Sequence, residues 1–403
     1  MVNRPGAIPF QLVREMMASG YIRDADPNAI QPSSLDLTVT NEVYRLRGSY
    51  LPRPGERVED IAKHASLYKT NLDLPLEIGG VYLVRLQESL ELPLSIRASS
   101  SNKSSSGRID LRSRLLADGV ARYDSIPAGY IGSLWLEIVP MSFPVKLYPG
   151  DRVNQIRFFH GEPRLSSLEH RMMYDRYRLL RDRVGETIRP TDEVVRDGIT
   201  MTIDLASDGI VGWWAKRGAT SILDTHKFDH DPHEFFEPIV KPKNGELTLR
   251  PETFYILVTK EKIIVPPTLA AEMANYDPSK GEFRSHFAGF FDPGWGWSDR
   301  EEDRGTAAVL EVEAYGHEII LRDGQPICLM VYERLLAPPE KAYGQELKSN
   351  YTGQSGPRLA KWFAPIPLLT KEVQGEVPPP LVQPPLIAPS KPLWENPNRY
   401  DIG

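Results

Sequence analysis

A chain of 403 residues with 41% hydrophobic and 25% charged side chains reads as a soluble globular protein, long enough for two domains. Its net charge of −6 argues against a large nucleic-acid footprint, and no run of ~18–20 apolar residues offers a membrane span. The single cysteine, Cys328, excludes a disulfide framework and any multi-cysteine zinc site, and it suits a reducing, cytoplasmic setting.

Proline is the compositional outlier at 36 residues, about twice the usual share. Together with many Val, Ile and Leu runs it predicts short strands joined by turns rather than a helical bundle. The first element is an exception: IPFQLVREMMASG (8–20) has a helical period and ends at a glycine, which predicts one short helix. IQPSSLDLTV (30–39), GGVYLVRLQESLELP (79–93), GSLWLEIVP (132–140) and VNQIRFF (153–159) read as strands. Among them lies SSSNKSSSGR (99–108), which has the composition of a linker. The same residues could instead form a loop whose backbone N–H groups and hydroxyls converge on an anion, with Lys103 and Arg108 as charged donors.

Residues 163–184 (PRLSSLEHRMMYDRYRLLRDRV) predict a connecting helix with Leu165, Leu168, Met172 and Leu179 on its apolar face. After about residue 205 the strand pattern returns in TFYILVTKEKIIVPP, AAVLEVEA and HEIILRDGQPICLMVY. These segments repeat the first half: LWLEIVP answers AVLEVEA, and VKLYPGDRV answers IILRDGQPI. Glu137 lies thirteen residues before Gly150, as Glu311 does before Gly324, so a β-rich domain is duplicated. From about residue 375 the composition favours extended polyproline II.

Several chemistries fail on spacing. His160-Gly161-Glu162 matches only the H-x-E half of a zinc deaminase, and one cysteine cannot supply the P-C-x-x-C half. The chain has no P-loop, no G-x-G-x-x-G at a strand–helix junction and no G-x-S-x-G elbow.

KSSSGR (103–108), however, resembles the K/R-S-S-L-G/A-R motif of dCTP deaminases, members of the dUTPase-like superfamily. HFAGFFDPGWG (286–296) resembles that family's A-G-F-I-D-P-G-[FW] motif, and AVLEV (308–312) its strand bearing the catalytic glutamate. SNYTGQSGP (349–357) resembles its C-terminal lid and IQPSSLDL (30–37) an early strand, so the likeness spans roughly residues 8–360. The resemblance implies a mainly β fold: two dUTPase-like distorted β-barrel or jelly-roll domains with short peripheral helices. They would occupy 1–184 and 185–360, followed by a Pro-rich tail, 361–403.

The motifs are divided between the halves. The first keeps KSSSGR but has Pro127 where the family has aspartate; the second keeps Asp292 and Glu311 but, in AEMANYDPSKGEF, lacks the serine–arginine loop. One composite site between the halves is therefore expected, with the reciprocal site around Glu137 dead.

By resemblance the activity is hydrolysis of dCTP to dUTP and ammonia without zinc. A glutamate in a desolvated pocket can serve as both base and acid, and the resemblance assigns that role to Glu311. Ser104 and the Ala288 carbonyl would hold the water and Arg108 would steady the site. Asp292 would accept the sugar 3′-OH and the backbone near Val309 would read the base. Lys103, Ser105, Tyr343 and Gln354 would hold the triphosphate, with Mg2+ on its oxygens. Gln155, in YPGDRVNQI, is a further phosphate candidate or part of a plain strand-end turn. The family's tail lysine falls at Asn350, with Lys348 near enough to substitute. Expected ligands are dCTP and dUTP, with dTTP a candidate inhibitor, and neither nucleic acid nor membrane is a partner. Self-association stays open, because the family is trimeric and two fused domains do not fill a three-domain ring. Two other readings remain: a bifunctional enzyme that also cleaves dUTP to dUMP and pyrophosphate, and a catalytically inactive nucleotide-binding regulator.

Overall fold

The computed structural model describes residues 4–274, the backbone of 283–284, and residues 289–344, 347, 350–351 and 353–366. In the first half the strand order is Leu111–Ala117, Ile131–Pro140, Tyr82–Glu91, Leu35–Leu46, Arg152–His160, Ile96–Asn102, Ser125–Ile126, each antiparallel to its neighbour. This sheet curls until it nearly closes. The Asn102 amide donates to the Leu111 carbonyl at 2.8 Å and accepts the Ser113 N–H at 3.0 Å, linking strands that are far apart in the sheet order.

The second half divides its strands between two sheets. One runs Phe236–Val240, Ile210–Ala215, Phe254–Ile263, Thr306–Ala314; the other runs Ile199–Thr202, Pro326–Arg334, Leu269–Ala274, Phe290–Phe291. Period-two alternation gives Thr306–Ala314 two working faces. Ala308, Leu310, Val312 and Ala314 enter the core of the second half, whereas Val309 joins the core of the first. Glu311 and Glu313 share the Val309 side of the strand, so a strand of one half presents carboxyl groups toward the other.

The halves interleave. Phe143 of the first packs edge-on against Phe235 and Phe236 of the second at 5.1 and 5.2 Å, and Phe363 meets both at 5.5 and 5.6 Å. Edge-to-face aromatic contacts of this kind add to the burial of the rings. Val145–Lys146 and Leu223–Asp224 form a short parallel ladder across the same boundary. Trp362 and Phe363 are buried, so residues just past 360 are part of the packed structure, while the proline-rich stretch from about 375 lies outside the described residues. No described helix is long and apolar enough to cross a membrane.

Two local expectations are corrected. The connecting helix is shorter, Ser167–Tyr177, opened by a Ser166–Glu169 capping box and ended by Arg178 at φ 53°. Its expected apolar face is turned out: Leu168 is 69% and Met172 55% exposed, while Leu165 and Leu179 at its ends are buried. His170 and Tyr174 point inward instead because their polar atoms find partners there: the Tyr332 N–H donates to His170 Nε2 at 3.0 Å, and the Tyr174 hydroxyl donates to the Ile188 carbonyl at 2.8 Å. The stretch 99–108 is neither spacer nor open loop. Ile96–Asn102 is a strand and Ser104–Gly107 a single helical turn.

Candidate active site

Lys103 stays extended, and the chain then closes one turn through Gly107 N–H to Lys103 O (2.9 Å) and Arg108 N–H to Ser104 O (3.1 Å). The Ser106 hydroxyl lies 2.5 Å from the Val153 carbonyl, which fastens the turn to the strand Arg152–His160. Ser105, Ser106, Gly107 and Arg108 are all buried. Serine here supplies the small, hydrogen-bonding side chains that a buried polar turn requires.

Glu311 of the second half faces this turn and is 3% exposed. Its carboxyl group lies so close to Gly107 that a Cβ at that position would sit 2.6 Å from the carboxyl carbon. Two residues on, Glu313 pairs with Arg112 of the first half at 2.5 Å. The turn and the strand are thus clamped face to face.

A third segment closes over them. The Tyr351 hydroxyl is 2.7 Å from Ser105 Oγ, and the Arg108 guanidinium lies 3.9 Å from the Tyr351 ring centroid. Arg108 also donates to Gln354 Oε1 at 3.0 Å and to the Arg358 carbonyl at 2.9 Å. Gln354 in turn donates to the Ala307 carbonyl at 2.8 Å, so the lid-like segment touches both halves. Burial pulls the Arg108 pKa below its ordinary value, opposed by nearby Tyr351 and Glu311.

Asp292 follows the short strand Phe290–Phe291 on an adjoining wall. It accepts a hydrogen bond from Ser33 Oγ at 2.8 Å and lies 3.4 Å from Arg157 Nη2. Burial raises its pKa, while Arg157 and the Ser33 bond pull it back. Arg157 is wholly buried, packs over Phe290 at 4.2 Å and bridges to Glu333 at 2.8 Å. Lys103 pairs with Asp36, and both charges act on Asp292.

Glu311, Ser105, Arg108 and Gln354 are therefore brought together, with Lys103 and Asp292 beside them. Val309 sits two positions before Glu311 on the same side of its strand. Ser104 is half-buried, and its hydroxyl takes no partner among the described residues. Tyr343 packs on Trp295 at 5.1 Å and donates its N–H to the Pro293 carbonyl, bracing the turn after Asp292. Both ends of the Gln155 amide are engaged internally, accepting from Ser34 at 3.4 Å and donating to the Asn102 carbonyl at 3.2 Å. Ala288 and Lys348 lie outside the described residues. At the reciprocal position, Glu137 accepts from Ser49 Oγ at 2.9 Å and Tyr123 OH at 3.1 Å.

Sequence reasoning missed Tyr351, Ser33, Asp36 and Arg157. The first three stand inside motifs already quoted, and only their contacts single them out. Arg157 had no signal, since an arginine among strand hydrophobics reads as an outward-facing charge. Lys361 was also missed, and it lies near enough to Lys103 for the two charges to repel.

Comparisons with known proteins bear on the family. The model of the 2′-deoxycytidine 5′-triphosphate deaminase N-terminal domain matches residues 4–162, and that of the C-terminal domain matches 174–363. The chain is 29% identical over 140 residues to a "dCTP deaminase, dUMP-forming" of Methanosphaera stadtmanae, covering 33% of this chain and 66% of the relative. It is 30% identical over 152 residues to the enzyme of that name from Kocuria rhizophila, covering 36% and 76%. A crystal structure of 2′-deoxycytidine 5′-triphosphate deaminase from Agrobacterium tumefaciens superposes with a TM-score of 0.75 at 38% identity, covering 83% of this chain and 99% of that one. With both halves matched by family models and a solved relative aligned along nearly its whole length, the chain belongs to the dCTP deaminase family.

Proposed function

We propose that the protein converts dCTP and water to dUTP and ammonia at one site between its halves. The observation that carries this reading is the contact of Glu311 with Gly107, which sets the candidate catalytic carboxyl group of the second half against the first half's serine–arginine turn. Glu311 takes a proton from the attacking water as its oxygen bonds to C4 of cytosine, and delivers a proton to N3. The tetrahedral centre then collapses to the C4 carbonyl, and the C4–N bond breaks as a second proton reaches the departing amine. Ser104 and the Ala288 carbonyl hold the water. Arg108, kept charged and rigid by Gln354, Arg358 and the Tyr351 ring, offsets the shift of charge.

Asp292 accepts the sugar 3′-OH, Val309 reads the base through its backbone, and Lys103, Ser105, Tyr343 and Gln354 serve the triphosphate. Among the described residues no three His, Cys, Asp or Glu side chains cluster as a cation-holding set. Magnesium would be carried on the triphosphate oxygens. Lys361 offers a further cation toward the phosphates, where the family's tail lysine is replaced by Asn350. Incubating pure protein with dCTP and measuring ammonia and nucleotides tests the reading: nucleotide binding with no ammonia release refutes it.

A second reading has a specific observation in its favour. The Methanosphaera and Kocuria relatives are named dUMP-forming, and Gly107 lets Glu311 approach the turn more closely than alanine would. In the same incubation, dUMP and pyrophosphate rather than dUTP identify a bifunctional enzyme.

A further inference from the structure

The repeat builds a second meeting place between the halves, whose lining does not include Glu311. An antiparallel strand pair of the first half sets Ala98 against Ile126 and Ser99 against Ser125; its counterpart in the second sets Ala271 against Phe291 and Glu272 against Phe290. The two pairs meet where the Gly289 N–H donates to Ser101 Oγ at 2.9 Å. Beside that contact lies a cavity of about 710 Å3, lined by residues of both strand pairs and within the ~300–1,000 Å3 typical of small-ligand sites.

Its lining is cationic, with five arginines against three acidic residues in a protein of net charge −6. Three of the arginines are loosely held. Arg97 reaches Glu162 at 3.7 Å, Arg114 reaches Asp124 at 3.6 Å, and Arg164 reaches Glu272 at 3.5 Å. All exceed the ~2.7–2.9 Å of a charge-assisted hydrogen bond. Partly exposed pairs of this length contribute little to stability, so an incoming anion displaces them at small cost. The hydroxyls of Ser99 and Ser125, which also line the cavity, take no partner among the described residues. Guanidinium forks and hydroxyls on several walls of one cavity match phosphate oxygens.

Catalysis is absent from this place. Pro127 stands where the other half has Asp292, and Glu137 is held by Ser49 and Tyr123. We propose that the cavity is a second, non-catalytic site for a polyphosphate anion, gripped by Arg97, Arg114 and Arg164. An occupant would adjoin both elements of the candidate active site. Ile96–Asn102 leads directly into Lys103, and Arg112, also in the lining, is paired to Glu313 two residues from Glu311.

Calorimetric titration of the full-length protein with inorganic tripolyphosphate tests the proposal, alongside the triple variant R97Q/R114Q/R164Q and, separately, Lys103→Met. The expected result is binding by the wild type that weakens tenfold or more in the triple variant and persists in Lys103→Met. The proposal is overturned if the triple variant binds like the wild type, if Lys103→Met removes all binding, or if the wild type takes up no tripolyphosphate. Should the triple variant melt differently from the wild type, Arg114→Gln alone replaces it, with at least a threefold weakening expected. A parallel titration with ATP separates the sources of the anion: equal affinity supports phosphate recognition alone, and tighter binding supports a nucleoside triphosphate.

Discussion

The carboxyl group of Glu311 rests on the Cα of Gly107, residues more than two hundred positions apart and in different halves of the chain. A methyl group at 107 would force a movement, and the group able to yield is the flexible end of Glu311. Gly107→Ala should therefore leave the fold intact, since alanine suits a helical turn, while displacing the proposed base. Ammonia release should fall about tenfold, at an effective cost of roughly 1.4 kcal/mol. An unchanged melting temperature beside that loss would separate misplacement from unfolding.

A single composite site makes an asymmetric prediction. Glu311→Gln should abolish ammonia release, whereas Glu137→Gln should leave turnover within twofold of the wild type, because Glu137 is engaged with Ser49 and Tyr123. Equal losses in the two variants would show that both halves are catalytic.

Arg157 has no exposed surface and lies between the buried carboxyl group of Glu333 and the largely buried one of Asp292. Arg157→Met leaves both without their cation, and removing one partner of a buried ion pair costs about 3–5 kcal/mol. Denaturant unfolding should show a loss of that order. It should grow with pH, since burial already raises the pKa of each carboxyl group and Arg157 holds them down.

Asp110 stands two residues after Arg108 at φ 53°, fully buried, with a pKa raised by burial to about 8. The folded chain therefore keeps this proton between about pH 4 and pH 8 while the unfolded chain loses it, and stability falls as pH rises across that window. Asparagine tolerates the left-handed conformation and does not titrate. Thermal melts of Asp110→Asn should match the wild type near pH 4, exceed it increasingly up to pH 8, and then run parallel to it.

Tyr351 gives its hydroxyl to a bond with Ser105 and its ring face to Arg108, with Arg358 over the same ring at 5.8 Å. Tyr351→Phe removes only the first, worth roughly 1 kcal/mol, and should raise KM for dCTP about fivefold. Tyr351→Ala removes both and should also lower kcat, because Arg108 then loses the surface that orients it. Steady-state kinetics on the two variants distinguishes a closing lid from a merely structural tail.

Much of this protein was legible before folding because its signals are local. Runs of β-branched and aromatic residues between proline and glycine breaks marked the strands from Ile131–Pro140 to Thr306–Ala314, and the matched spacing of Glu137 to Gly150 and of Glu311 to Gly324 exposed the duplication. The complementary losses, Pro127 in one half and the missing serine loop in the other, pointed to a shared site. Local signals misled where burial was decided by distant partners. Leu168 and Met172 carry the apolar spacing of a helix face, yet His170 and Tyr174 go inward because Tyr332 and Ile188 satisfy their polar atoms.

By itself the sequence determined the strand content and the repeat, since these depend on composition and short-range spacing, while its resemblance to the family supplied the residues expected at the site. Only the tertiary structure decided that 99–108 is a strand and a buried turn, that Tyr351 covers Arg108, and that Arg157 joins Asp292 to Glu333. Each of those outcomes rests on desolvated polar groups finding partners distant in sequence, and the last two find them across the boundary between the halves. A buried charge is tolerable only where its partner also arrives, and that arrival is a property of the fold.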